Sequence, residues 1–129
     1  MTHVGIVLVS HSEKIAIGLK EIIREVINEV PVELASGMEE GYIGTSVERI
    51  TSAILHADEG RGVLLFYDLG SAKMNADLAI ELADVKDVEI VEAPLIEGAY
   101  VAAVEASVGR SKDEILQSIE EAFPITEIG

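Results

Sequence analysis

Two short stretches of this chain carry side chains suited to group-transfer chemistry. Ser10-His11-Ser12 ends the apolar run Val4 to Val9, and Asp68-Leu69-Gly70-Ser71 ends the apolar run Val63 to Tyr67. A neutral imidazole is a nucleophile near pH 7, and its two nitrogens can be given different tasks. A carboxylate bonded to one nitrogen fixes the tautomer, leaves the other free to attack and stabilises the cation that attack produces. His11 and Asp68 are residues of the right types for that division. Ser10-x-x-Glu13 has capping-box spacing, which places His11 at the first position of a helix; capping by Ser12 instead places it one residue outside. In both cases His11 stands beside unpaired helix amides, a position that favours anions. Gly70 permits close backbone approach, and Ser71 begins a helix whose amides could hold phosphate oxygens. The direction of the His11 pKa stays open, because a helix N-terminus lowers it and a carboxylate raises it.

The elements that must position these residues follow from periodicity. The β-branched run Val4 to Ser10 reads as a buried strand, and Ile15, Leu19, Ile22, Ile23, Val26, Ile27 and Val30 follow at helical spacing. That helix is expected to end between Asn28 and Pro31. Val32 to Ala35 is a short second strand. Residues 36–45 read as a loop interrupted by Gly37, Gly41 and Gly44, before a helix from Val47 to about Ala57 capped by Thr45 or Ser46. Gly62 to Tyr67 is a central strand, nearly all apolar as expected when both faces are buried. A third helix to about Ala83 is expected to set Met74, Leu78 and Leu82 against the sheet. Val88 to Val91 is a fourth strand, Ile96 to Val108 an alanine- and valine-rich helix, and Ser111 caps a last helix carrying Ile115, Leu116, Ile119 and Phe123.

Strands alternating with helices predict an α/β, doubly wound fold: a mainly parallel four-stranded sheet with helices on both faces. Right-handed crossovers give the strand order 2-1-3-4. Ligands of such sheets bind beyond the carboxyl ends of the strands where the order reverses, here between strands one and three. Ser10-His11-Ser12 and Asp68-Leu69-Gly70-Ser71 leave those two strands, so His11 and Asp68 are expected side by side. Taken alone, His11 reads as a surface residue and Asp68 as a helix cap; their convergence favours the chemical reading. His3 and His56 have no comparable setting.

Composition narrows the partners. The 129 residues suit a single domain, residues 1–129, and with 49% hydrophobic residues it can build a core. Twenty-four acidic against 9 basic residues give a net charge of −15 and leave no Lys/Arg cluster of the kind that binds nucleic acid or anionic membranes. Such acidity keeps a protein soluble, and it also steers basic protein partners. Cysteine is absent, which excludes disulfides and Cys-ligated metals. No apolar run reaches membrane-span length and no basic leader precedes the first strand, so a soluble cytoplasmic protein is expected. There is no Walker motif, no metal-ligand cluster and no Gly-x-Ser-x-Gly elbow, and no cofactor or metal is expected. A homodimer is expected from the sparsely charged fourth helix and from Ile125 and Ile128 after Pro124.

The stretches Val9-Ser10-His11-Ser12 and Tyr67-Asp68-Leu69-Gly70-Ser71-Ala72-x-x-Asn75 resemble the mannose-type EIIA family of the bacterial sugar phosphotransferase system. Within it they are similar to the DhaM branch, the phosphotransferase subunits of dihydroxyacetone kinases. Mannose-type relatives usually read Thr-His-Gly and Gly-Gly-Ser where this chain has Ser-His-Ser and a single Gly70, which favours the dihydroxyacetone branch. The resemblance implies that His11 becomes a phosphohistidine, charged by the carrier protein HPr. It also implies that Asp68 is the aspartate beside it and that Ser12, Gly70, Ser71 and Thr45 line the phosphate. The phosphoryl group would then pass to ADP on the DhaL subunit, and DhaL–ATP would phosphorylate dihydroxyacetone held by DhaK. A sugar-transport EIIA and a non-catalytic regulatory module are the alternatives.

Overall fold

The computed structural model describes residues 1–36 and 45–124. The loop with Gly37, Gly41 and Gly44, and the tail with Ile125 and Ile128, lie outside the described residues. The elements run β1 (Gly5–Ser10), α1 (Glu13–Arg24), β2 (Val32–Ser36), α2 (Val47–Ala57), β3 (Val63–Tyr67), α3 (Gly70–Ala83), β4 (Val88–Ile90), α4 (Leu95–Ser107) and α5 (Lys112–Ala122). All pairings are parallel and the order is β2-β1-β3-β4, as the alternation of elements predicts. Because side chains alternate across a strand, β1 feeds two cores. Ile6 and Leu8, with Leu64 and Phe66 of β3, pack under α1, α4 and α5. Val7 and Val9, with Val63 and Leu65, pack under α2 and α3. Every residue of β1 is buried, which explains its unbroken apolar sequence.

Three expectations are corrected. Helix α1 stops at Arg24, about a turn short of the predicted end. The Arg24 guanidinium donates to the carbonyls of Ile27 and Val30, so the chain turns here while Ile27 and Val30 stay in the core. Met74, Leu78 and Leu82 do not face the sheet: they point outward, with Met74 74% exposed. The buried stripe of α3 is instead Ala72, Ala76, Ala79 and Ala83. Small side chains let α3 lie close against the sheet and α2, and the larger residues at the same helical period are left on the far side. The alanine face of α4 is likewise covered by the chain itself, where Ala99, Ala102, Ala103 and Ala106 join the β1–β3 core, so it is not free for a second copy.

Two glycines mark close approaches. A Cβ on Gly5 would collide with the Ala57 carbonyl at the end of α2, and one on Gly98 would sit 2.9 Å from the Ala93 side chain and 3.3 Å from the Phe66 ring. Among the described residues no helix is long and apolar enough to cross a membrane.

Candidate active site

The register of the central strands builds the site. Val9 lies opposite Tyr67, so the next residues out, Ser10 and Asp68, leave the sheet together at the switch point. The Asp68 carboxylate then gathers four donors. Ser10 Oγ and the His11 amide donate to Oδ2 at 3.0 and 2.9 Å; the Leu69 amide donates to Oδ1 at 2.7 Å, and His11 Nδ1 lies 3.0 Å from the same oxygen. Partial burial alone would raise the Asp68 pKa. The bonds from the His11 ring, the His11 amide, Ser10 and Leu69 outweigh it and hold the carboxyl below the ordinary aspartate value. Asp68 is therefore ionised at neutral pH, and as a pure acceptor it fixes the Nδ1–H tautomer of His11.

The other ring nitrogen faces outward. His11 Nε2 lies 2.8 Å from Ser71 Oγ, and with Nδ1 protonated that hydroxyl donates to its lone pair. Ser71 is exposed in the first turn of α3, so the contact is with a side chain that can turn away. Leu69, the residue before α3, supplies no side-chain cap. Among the described residues a Cβ on Gly70 would meet nothing within 4 Å, so no contact with them requires glycine there. His11 and Asp68 are each about one-fifth exposed; the contact at Nδ1 is partly buried and that at Nε2 is exposed.

The remaining expected residues divide. Ser12 caps α1, its Oγ accepting from the Ile15 amide at 3.4 Å, so His11 lies one residue outside the helix and the Ser10–Glu13 capping box does not form. Ser10, read as a possible cap, is instead fully buried: its hydroxyl donates to Asp68 and accepts from the Ser12 amide at 3.1 Å. Ser46 rather than Thr45 caps α2. Thr45 is held from α3, where Asn75 Nδ2 donates to its Oγ1 at 2.6 Å. Asn75 went unassigned in the sequence, although it stands four residues after Ser71 and so on the same helix face.

Just behind the site, Glu92 takes a bond from Tyr67 Oη at 2.6 Å and an ion pair from Lys73 Nζ at 2.8 Å, which ties the end of β3, the start of α3 and the segment after β4 together. The Lys73 bond, then the Tyr67 bond, hold the Glu92 carboxyl below its ordinary value. His56 is exposed on α2 with Nδ1 against the Ser52 carbonyl at 2.7 Å. His3 is buried at the opposite, N-terminal end of β1, its amide on Glu59. Neither is near His11. Among the described residues no group of three His, Cys, Asp or Glu side chains is placed to hold a metal ion.

Residues 5–116 match the EIIA-man family, described as the fructose IIA component of the phosphotransferase system. The phosphotransferase subunit DhaM of a PTS-dependent dihydroxyacetone kinase from Lactococcus lactis is 46% identical over 116 residues, spanning 90% of this chain and 93% of that protein. A DhaM phosphoryl donor subunit of Listeria innocua is 40% identical over 120 residues, covering 90% and 96%. A crystal structure of a protein of unknown function superposes with a TM-score of 0.82 at 34% identity, covering 93% and 94% of the two chains. The chain therefore belongs to the EIIA-man family of phosphotransferase-system components.

Proposed function

We propose that this protein is a phosphohistidine carrier working as the phosphotransferase subunit of a phosphoenolpyruvate-dependent dihydroxyacetone kinase. The observation that carries the reading is the division of labour on His11: Nδ1 is committed to an ionised Asp68 while Nε2 faces open space beside Ser71. Phosphorylated HPr is the donor. The Nε2 lone pair attacks phosphorus as the donor's N–P bond breaks, and the Nδ1 proton stays in place, so the imidazole becomes cationic beside the Asp68 carboxylate. Ser71 Oγ–H, released from Nε2, turns to a phosphoryl oxygen, and the uncapped amides at Gly70 and Ser71 complement the remaining charge. The transfer needs positioning and electrostatics rather than new covalent chemistry from the protein.

In the second half the β-phosphate oxygen of ADP on the DhaL subunit attacks the same phosphorus, the N–P bond breaks and His11 returns neutral. DhaL–ATP then phosphorylates dihydroxyacetone bound to DhaK. Ser12 serves through capping α1, and Thr45 through the phosphoryl side of the pocket. The relay is cytoplasmic. A homodimer belongs to the same reading, with its surface moved from α4 to the exposed Met74, Leu78 and Leu82 of α3; light scattering giving a monomer mass at micromolar concentration would remove it.

The test is a reconstituted relay of phosphoenolpyruvate, enzyme I, HPr and this protein. An acid-labile, alkali-stable phosphate on Nε2 of His11 is expected, lost in His11→Ala, kept in His3→Ala and His56→Ala, and discharged by DhaL–ADP. An acid-stable phosphate, or one that survives His11→Ala, refutes the mechanism; discharge to a sugar permease but not to DhaL refutes the acceptor.

A further inference from the structure

We propose that Asn75 is a positioning residue for phosphoryl transfer, acting through the hydroxyl of Thr45. The inference rests on the phosphohistidine reading and goes beyond it. Ser71 and Asn75 are four residues apart on α3, on one face and about 6 Å apart along the axis. The first touches His11 Nε2 at 2.8 Å, and the second holds Thr45 Oγ1 at 2.6 Å. Thr45 is therefore held from the helical turn that follows Ser71, the residue that touches the nitrogen that receives phosphate.

The polarity of the bond matters. An amide NH₂ can only donate, so the Thr45 hydroxyl accepts from Asn75 and keeps its own hydrogen for another acceptor. A phosphoryl group on Nε2 supplies three strong acceptors and displaces Ser71 Oγ from the lone pair it occupies at rest. Ser71 then serves one oxygen and Thr45 a second. A strut between α2 and α3 would need only the main chain, yet the Thr45 carbonyl lies 3.5 Å from the same nitrogen while the hydroxyl makes the short bond. Asn75 and Thr45 are both half-buried, and the bond between them is partly shielded from competing water.

The experiment is rapid-quench phosphoryl transfer from phosphorylated HPr to the full chain, with Thr45→Val, Thr45→Ser, Asn75→Ala and the Thr45→Val/Asn75→Ala double variant. Thr45→Val and Asn75→Ala are each expected to slow transfer on the order of tenfold, less than the loss of a sole oxyanion donor because Ser71 and the α3 amides still serve the phosphoryl group. The double variant should be no slower than the slower single one, and Thr45→Ser should transfer within twofold of wild type. The phosphorus-31 resonance of the phosphohistidine should move in Thr45→Val and not in Thr45→Ser. Multiplying single effects, a wild-type rate in Thr45→Val, or equal loss in Thr45→Val and Thr45→Ser each overturn the proposal. If Asn75→Ala does not fold, the Val/Ser contrast at Thr45 still decides it. Transfer to His11 at wild-type rates in every variant sinks this inference alone; no phosphate on wild-type His11 sinks the carrier reading as well.

Discussion

Asp68→Asn isolates what the carboxylate charge contributes. All four groups that touch Asp68 are donors: Ser10 Oγ, the amides of His11 and Leu69, and His11 Nδ1–H. Asparagine offers one acceptor oxygen and one NH₂. With the NH₂ in place of Oδ2 it confronts the His11 amide; in place of Oδ1 it confronts the Leu69 amide and, by donating to Nδ1, moves the proton to the nitrogen that must attack. Either way one main-chain N–H loses its partner, costing about 1–2 kcal/mol at this partly exposed position. The protein should fold, with Tm lower by about 5 °C. The effect on chemistry is larger. At 3.0 Å and an effective dielectric of about 20, a carboxylate attracts an imidazolium by about 5 kcal/mol. Partial charge development in the transition state and one-fifth exposure of each group reduce this to about 3 kcal/mol, a slowing on the order of 100-fold. Rapid-quench measurement of single-turnover transfer from phosphorylated HPr gives the rate directly. A rate within threefold of wild type, in a variant shown to be folded, would refute the orienting and charge-balancing role.

Other perturbations test the scaffold. Because the folded Asp68 carboxyl titrates below its ordinary value, its contribution is present above about pH 4–5 and lost as pH falls through the lowered value, so Tm of Asp68→Asn should fall less steeply than wild type below about pH 4. Calorimetry across that window showing parallel slopes would contradict the shift. Gly5→Ala should destabilise by about 3 kcal/mol or more, since its Cβ meets the Ala57 carbonyl and main chain cannot yield cheaply; a Tm within 2 °C of wild type, on the order of 0.5 kcal/mol, would show that α2 moves freely. Met74→Gln should change the stability of the monomer by under about 0.5 kcal/mol, as its side chain points away from the chain's own core; a loss near 2 kcal/mol by urea unfolding that does not change with protein concentration would restore it to that core.

Much of the site was legible because it depends on topology more than on detail. Two unbroken apolar strands, each followed at once by a helix, fix a parallel sheet whose central pair must deliver His11 and Asp68 to one edge. The clearest failure lies in α3. Its period places Met74, Leu78 and Leu82 on one face and Ala72, Ala76 and Ala79 on another, and hydrophobicity alone selects the larger set. Packing distance decides the other way: a helix wedged between a sheet and α2 needs small residues underneath. Ser10 was missed for a different reason. A serine three residues before a glutamate satisfies a local capping rule, and only the long-range approach of Asp68 reveals a competing partner for its hydroxyl. Asn75 could have been found from its four-residue offset from Ser71, but its target, Thr45, is 30 residues away in sequence.

The alanine face of α3 has a consequence for evolution as well as for packing. Ser71 rides on the first turn of this helix, and the height of that turn above the sheet is set by the methyl groups of Ala72 and Ala76. Those methyls act as spacers, so the reach from Ser71 to His11 is gauged one carbon at a time. A valine at either position would enlarge no part of the site and remove no functional group, yet it would lift the hydroxyl off its nitrogen. Sequence drift at Ala72 and Ala76 is therefore constrained although neither side chain reaches the site, while the outward face of the same helix answers to whatever surface the protein must present.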